Sequence, residues 1–440
     1  MRYLEFWEKF QTAEKKADVY NIKTIGFQLY PMLRTRLYYQ LAQELGLFDN
    51  PHPNPEPKEV IDLEVEPASL VGKHEIVVVP FVRKIAGIDV YSQPLIDAFG
   101  ENALVLEVSD PHAALDLERI KSFGKGKFDR VVYELMLKEK VRDVRDRWDL
   151  MAKVFEAELG VGLGKFAEFP NWLVRRYIGE CLAFKEFFLA MQTKRLYVVN
   201  AYSHPALVVG AKQAGVRVIE IQHGFISKYH PAYSYPKQRV QCAPNRIMVW
   251  GEYWAKSTPF AKGLKALVTG PSKQFLQQRQ NVNSGSRVEG SILFTSQGAL
   301  GADLMQQALH WASQLPDHKV IYRLHPNEDL ADYAKFSLPK NLELSHKNPG
   351  FLELLSEAEY LVGGFSTTLY EGLSFGLKVI VLPLPGYENV QAAIDRGDMF
   401  LADLDASALE LQDLLHRAKP CANPYSYYAK DFNLKRALSA

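Results

Sequence analysis

The sequence predicts an α/β protein: two doubly wound parallel-sheet domains facing a cleft, preceded by a helical extension. Three observations predict this. Short runs rich in Val, Ile and Leu recur along the chain, as in strands buried on both faces of a parallel sheet. Helical stretches alternate with them, which is the signature of βαβ units. At 440 residues the chain exceeds one ordinary core, so two domains are expected.

The elements follow in order. Residues 1–57 form an N-terminal helical segment and a linker. The stretch 20–47 carries Ile25, Phe27, Leu29, Tyr30, Leu33, Leu37, Tyr38 and Leu41, with Lys23, Arg34 and Arg36 between them. This pattern fits a helix packed on the first domain or an amphipathic helix lying on a membrane surface. Residues 49–57 repeat proline and cannot continue a helix. The first domain spans 58–275, with strands expected at 75–82, 103–108, 195–200, 216–222 and 246–250 and a short one near 267–271. Residues 111–190 read as mostly helical, and 204–214 as the crossover helix of a right-handed βαβ unit. The basic stretch Lys121, Lys125, Lys127, Arg130, Arg175 and Arg176 reads as a solvated face or a contact for an anionic glycan or lipid. Residues 277–287 are polar and read as a flexible junction. The second domain spans 288–405, with strands at 291–296, 319–324, 360–362 and 378–382 and helices at 302–314, 351–358 and 367–375. Residues 406–440 read as helical and cross back to the first domain. Both domains are Rossmann-like in pattern.

Composition excludes several classes. Hydrophobic residues make up 47% and charged ones 23%, as in ordinary globular proteins. The net charge of +1 gives no general attraction to nucleic acid. Cys181, Cys242 and Cys421 are far apart and form no CxxC pair, which argues against a disulfide scaffold or thiolate metal site. No stretch reaches the ~18 consecutive apolar residues of a spanning helix. The N-terminus lacks a signal-peptide core. A cytoplasmic setting is expected, with peripheral attachment to the inner face of the cytoplasmic membrane left open.

Four motifs are candidates for chemistry. In the first, a strand runs through Ser296-Gln297-Gly298 into a helix, whose free amides can hold a phosphate. In the second, Arg323-Leu-His325-Pro-Asn327 places an imidazole at a strand end, able to donate to a phosphate oxygen or act as an acid; the bland reading is a strand cap. In the third, Gly363-Gly364 permits a tight turn and close ligand approach. Ser366 is a candidate N-cap, and Ser366, Thr367 and Thr368 offer hydroxyls at a helix start. Glu371 lies on the same helical face as Thr367 and can reach a sugar or ribose hydroxyl; the bland reading is a capped helix with an exposed Glu. In the fourth, a strand ends in Gln222-His223-Gly224, and its loop carries His230, Tyr233 and Tyr235. Such a density of polar rings is costly unless the groups meet ligand or each other. No His/Asp/Glu set has metal spacing, and no P-loop, GxGxxG or GxSxG pattern is present.

Residues 291–390 resemble the donor-binding domain of two-Rossmann-domain (GT-B) glycosyltransferases. Gln222-His223-Gly224, His325-Pro326 and Ser366-Thr367 together resemble bacterial capsule and lipopolysaccharide transferases, the β-Kdo and sialyltransferase-like enzymes among them. The resemblance implies that His325, Ser366 and Thr367 bind the phosphate of a CMP-activated acidic sugar such as Kdo. It implies a nucleotide-sugar donor, a glycan or glycolipid acceptor, and no metal or cofactor. His223, His325 and Glu371 are the expected catalytic groups. Ser296, Gln297, Gly298, Arg323, Asn327, Gly364 and Thr368 are expected around the nucleotide. Gln222, Gly224, His230 and Tyr233 are expected around the acceptor or donor sugar. The family's usual first-domain carboxylate has no clear counterpart: Asn200 ends one strand, leaving Asp89, Glu107, Asp110 and Glu220. The rivals are a CDP-glycerol glycerophosphotransferase, a UDP-sugar transferase or epimerase, and a non-catalytic glycan-binding scaffold.

Overall fold

A computed structural model describes residues 1–48, 73–81, 89–107, 120–122, 134–135, 143–168, 171–235, 237–280, 287–326 and 328–440. The linker at 49–57, Asp110, Lys125, Lys127, Arg130 and Asn327 lie outside them.

The chain opens with helix α1 (Tyr3–Lys16), strands β1 (Lys23–Thr24) and β2 (Phe27–Gln28), and helix α2 (Tyr30–Glu44). The helix expected from residue 20 therefore starts only at Tyr30. The reason lies in the turn: Ile25 and Gly26 have φ of 42° and 85°, so the chain reverses as a hairpin before Pro31 settles into the first turn of α2. The apolar face of this segment points into the protein. Phe27, Leu29, Tyr30, Leu33, Leu37, Tyr38 and Leu41 are all buried, as are Tyr3, Phe6, Trp7 and Phe10 of α1. The membrane-surface alternative loses the apolar face it required.

The first domain holds β3 (Ile76–Val79), α3 (Gln93–Phe99), β4 (Ala103–Glu107), β5 (Ile120–Ser122), α4 (Arg145–Leu159), α5 (Asn171–Ala190), β6 (Arg195–Val199), α6 (Pro205–Gln213), β7 (Arg217–Ile221), β8 (Arg246–Val249), α7 (Glu252–Lys256), β9 (Lys265–Val268) and α8 (Lys273–Gln280). Its strands form one parallel sheet in the order β5-β4-β3-β6-β7-β8-β9. The stretch read as helical from 111 thus contains a strand, β5. α8 occupies the start of the expected flexible junction. Gly210 on α6 has no room for a side chain: an added Cβ would lie 2.6 Å from the Cys181 carbonyl oxygen of α5. That close approach lets α5 and α6 pack as a pair on one face of the sheet.

The second domain holds β10 (Ile292–Thr295), α9 (Gly301–Gln314), β11 (Val320–Arg323), β12 (Leu342–Ser345), α10 (Phe351–Glu357), β13 (Tyr360–Gly363), α11 (Thr367–Ser374), β14 (Lys378–Val381), α12 (Gln391–Asp395) and β15 (Phe400–Leu401). Its parallel order is β12-β11-β10-β13-β14-β15. Both orders are doubly wound, so each sheet has a switch point: between β3 and β6, and between β10 and β13. The fold class is that expected, two doubly wound α/β domains preceded by a helical extension. The tail carries α13 (Ala408–Arg417), packed on α9, and α14 (Leu434–Leu438), packed on α3. The Tyr197 hydroxyl and Arg195 guanidinium of β6 donate to carbonyls of α14, so the tail does cross back. Cys181, Cys242 and Cys421 are free and buried.

Candidate functional site

In a doubly wound sheet, ligands bind outside the carboxyl ends of the strands at the switch point. In the second domain this brings together β10, running into Ser296-Gln297-Gly298, and β13, running into Gly364 and the start of α11. The two turns are tied to each other. The Phe365 amide donates to Gln297 Oε1 at 3.2 Å, and the Thr368 and Thr295 hydroxyl oxygens lie 3.3 Å apart. An added Cβ at Gly364 would sit 3.2 Å from Leu300 and 3.5 Å from Gln297, so the second glycine is what lets the turns close. Ser366 is the N-cap as expected: its Oγ accepts from the Thr368 amide at 3.2 Å and from the Thr368 hydroxyl at 2.9 Å.

β11 flanks β10 on its other side, so His325 stands one strand beyond the Ser296 turn. The His325 amide donates to Glu328 Oε2 at 2.6 Å, and the Glu328 amide donates back to the His325 carbonyl at 2.9 Å. Glu328 Oε1 also accepts from Ser296 Oγ at 2.8 Å and from the Tyr333 hydroxyl at 2.7 Å. Glu328 is thus the brace of the β10 and β11 turns; its signal in the sequence is a carboxylate three residues after a strand-end histidine. Ser296 is buried and its hydroxyl serves this brace. Arg323 was expected at the nucleotide, but its guanidinium turns to β12 instead. It donates to Ser345 Oγ at 2.9 Å and to the Pro349 carbonyl at 2.8 Å.

Across the cleft, the His223 ring lies at the first domain's switch point. Its centroid is 5.1 Å from that of Phe81, which follows β3, and 5.8 Å from that of Tyr202, which follows β6. His223 Nε2 is 3.4 Å from the Tyr202 hydroxyl. Gln222 supports this turn from below. It is fully buried, accepts from the Trp250 amide at 2.9 Å and donates to the Gly224 carbonyl at 2.9 Å.

The two domains touch here. The Phe225 amide donates to Thr367 Oγ1 at 3.0 Å, joining the end of β7 to the first residue of α11. An added Cβ at Gly224 would make only an ordinary van der Waals contact with the same hydroxyl, at 3.7 Å.

His230 and Tyr233, expected at the sugar, lie beneath this surface. Both are buried, and their rings pack 4.9 Å apart. His230 Nδ1 accepts from the Ala232 amide at 3.2 Å, and burial pushes its pKa down to about 3, so the ring is neutral. The Tyr233 hydroxyl donates to Glu220 Oε1 at 2.8 Å. Arg34 of α2 anchors this loop from behind through the carbonyls of Pro231 and Ser234.

The candidate first-domain carboxylates divide in the same way. Asp89 is fully buried and accepts from the amides of Phe81, Tyr91 and Ser92 and from the Ser92 hydroxyl, so it ties Phe81 to the start of α3. Glu220 is buried, and that burial raises its pKa to about 7. Glu371 differs from both. It is half-buried on α11, no hydrogen bond to its carboxylate is seen among the described residues, and burial raises its pKa to about 7. Among the described residues, no group of three His, Cys, Asp or Glu side chains is placed to hold a metal ion. No helix among them is long and apolar enough to cross a membrane.

No family model matches the chain, and no curated protein matches it. Solved structures similar to it include the glycotransferase of kitacinnamycin, at 14% identity and TM-score 0.48, covering 84% of this chain and 95% of that one. The Methanocaldococcus jannaschii UDP-GlcNAc 2-epimerase has the same identity and score, covering 83% and 99%. Acinetobacter baumannii MurG is 12% identical at TM-score 0.48, covering 83% and 98%. Likenesses this faint carry no activity from one chain to another.

Proposed function

We propose that the chain is a glycosyltransferase that moves an acidic sugar such as Kdo from a CMP donor onto a bacterial capsule or lipopolysaccharide glycan. The observation that carries this reading is the meeting of two switch points at the Phe225–Thr367 hydrogen bond. There, a partly exposed histidine at the end of one sheet stands two residues before the amide that meets the hydroxyl-rich helix start of the other. On this reading the nucleotide phosphate lies at the N-terminus of α11, against the Ser366, Thr367 and Thr368 groups, with His325 beside it. Gln297 and Gly298 line the turn next to it. The acceptor hydroxyl attacks the anomeric carbon, the bond from that carbon to the phosphate oxygen breaks, and its electron pair leaves with CMP. The acceptor proton passes to His223, the partly exposed titratable group at the first switch point, while Asp89 and Glu220 are sealed inside. Glu371 takes a sugar or ribose hydroxyl. Hydroxyls, helix amides and one imidazole suit the single phosphate of a CMP donor, which needs less neutralisation than a diphosphate and no metal bridge. With Arg323 engaged at β12, this reading gives it no contact with the phosphate.

The test is a melting-temperature panel with CMP, CDP, UDP, UMP and GDP. A ligand bound only by the folded state stabilises it by about 2.7 kcal/mol at a hundredfold excess over Kd. Selective stabilisation by CMP, lost in His325→Ala, is expected. Selective stabilisation by UDP overturns the CMP donor, and no response to any nucleotide overturns the transferase reading.

A further inference from the structure

The end of the first sheet remote from the cleft carries a second candidate site. A cavity of about 560 Å³ opens there, lined by Lys194, Arg195, Lys212, Gly215, Val216, Arg217 and Asn245. Four of these residues are cationic and none is acidic. The whole chain is nearly neutral, with 52 Lys and Arg against 51 Asp and Glu, so this is a local concentration and not a general surplus.

The sheet itself builds the cluster. All strands are parallel, so their amino ends share one edge. β6, β7, β8 and β9 each begin with a cation: Arg195, Arg217, Arg246 and Lys265. Register sets Arg195 beside Arg217 and Arg246 beside Lys265. Like charges on adjacent strands repel; one carboxylate at this end of the sheet, Glu75 just before β3, accepts from the Lys194 ammonium, while Arg195, Arg217, Arg246 and Lys265 have no ion pair among the described residues. Two of the cations are also held in place. Lys212 Nζ donates to the Gln241 carbonyl at 2.9 Å and the Ala243 carbonyl at 2.7 Å, and Arg195 donates to the Leu438 carbonyl. Partial burial lowers the Lys212 pKa, so keeping this ammonium charged has a cost that a bound anion would offset. Arg217 is exposed, and no ion pair to it is seen among the described residues.

We infer that this cavity is an anion site, distinct from the cleft, that takes a ligand bearing phosphate groups. Fixed cations at the rim and exposed ones at the mouth suit a phosphate ester or a short oligophosphate, bound through charge-assisted hydrogen bonds. The same chemistry is presented by a soluble oligophosphate and by an anionic phospholipid headgroup.

The experiment uses the full chain and two probes: tripolyphosphate, followed by calorimetry, and phosphatidylcholine vesicles with and without phosphatidylglycerol, followed by flotation. Lys194→Gln/Arg217→Gln changes two exposed side chains and gives up only the exposed Lys194–Glu75 ion pair, so its melting curve should stay close to the parent's. Binding of either probe, weakened at least about tenfold in this variant and unaffected by His325→Ala, supports the site. The probe that binds identifies the soluble or the lipid source. Binding lost instead in His325→Ala belongs to the cleft and overturns the inference. So does binding unchanged in the double variant, or no binding of either probe.

Discussion

Glu220 and His230 are near neighbours whose pKa values burial moves in opposite directions, to about 7 and about 3. A carboxyl with a raised folded pKa favours the native state while both states are protonated. It loses that contribution as pH climbs from the unfolded value through about 7. A buried neutral histidine does the reverse, losing its contribution as pH falls from about 6.5 toward 3. The two therefore offset each other in the wild-type curve and must be separated by substitution. Glu220→Gln keeps an acceptor for the Tyr233 hydroxyl and removes the titration. Its stability relative to wild type should rise between pH 5 and 8, by on the order of 3 kcal/mol if the whole shift is realised. Urea unfolding at the two pH values measures this; a difference independent of pH would show that Glu220 is already ionised in the fold. None of this was visible in the sequence. Glu220 and Tyr233 are thirteen residues apart, and only the chain's return beneath β7 places one hydroxyl on the other's carboxylate.

At the scale of elements, the β10–α9 turn depends on a glycine. An added Cβ at Gly301 would lie 2.4 Å from Glu328 Oε1 and 2.7 Å from the Tyr333 hydroxyl. Alanine in a helix gains up to about 1 kcal/mol over glycine. Here the clash should win, because Glu328 is pinned by three donors and cannot swing away; overpacking of this kind costs about 1–3 kcal/mol. Gly301→Ala should therefore lower the urea midpoint and blunt the response to nucleotide, while Gly298→Ala, which meets open space, should leave the midpoint near its wild-type value. An unchanged midpoint in Gly301→Ala would show that the brace is loose. The long apolar strands and the Ser366 cap were legible because each is a local pattern. β12 and the β1–β2 hairpin were not. β12 is a four-residue edge strand exposed on one side, and the hairpin turns at Ile25, a β-branched residue in a left-handed conformation that propensity disfavours. The turn of Arg323 toward β12 was hidden for the same reason, since its partners belong to an element the sequence does not announce.

At the scale of the molecule, two segments fasten the domains together from opposite ends of the chain. The tail passes over Gly251, where the Ser426 and Tyr427 carbonyl oxygens would lie 2.4 and 2.5 Å from an added Cβ. The N-terminal segment reaches the second domain through Asn389, which donates to the Tyr3 hydroxyl at 3.1 Å, and through Phe48, 5.8 Å from Phe365. It holds the first domain through Arg34. That guanidinium is fully buried and donates twice to Glu14, at 2.5 and 2.9 Å, while capping the loop that follows His223–Gly224. Removing one member of a buried pair leaves a charge without compensation and costs about 3–5 kcal/mol, whereas replacing both by apolar groups is often close to neutral. The Pro231 and Ser234 carbonyls complicate that rule here, because they lose their donor in either case, at about 1–3 kcal/mol for each buried group left unpaired. Arg34→Met should therefore be the worst variant, Glu14→Leu also severe, and the double variant intermediate between Arg34→Met and wild type. A double variant no more stable than Arg34→Met would mean that Arg34 acts through the loop carbonyls and that its pairing with Glu14 adds little. Urea midpoints of the four proteins decide between these, and the coupling they yield measures how firmly the N-terminal helices hold the His223 side of the cleft against α11.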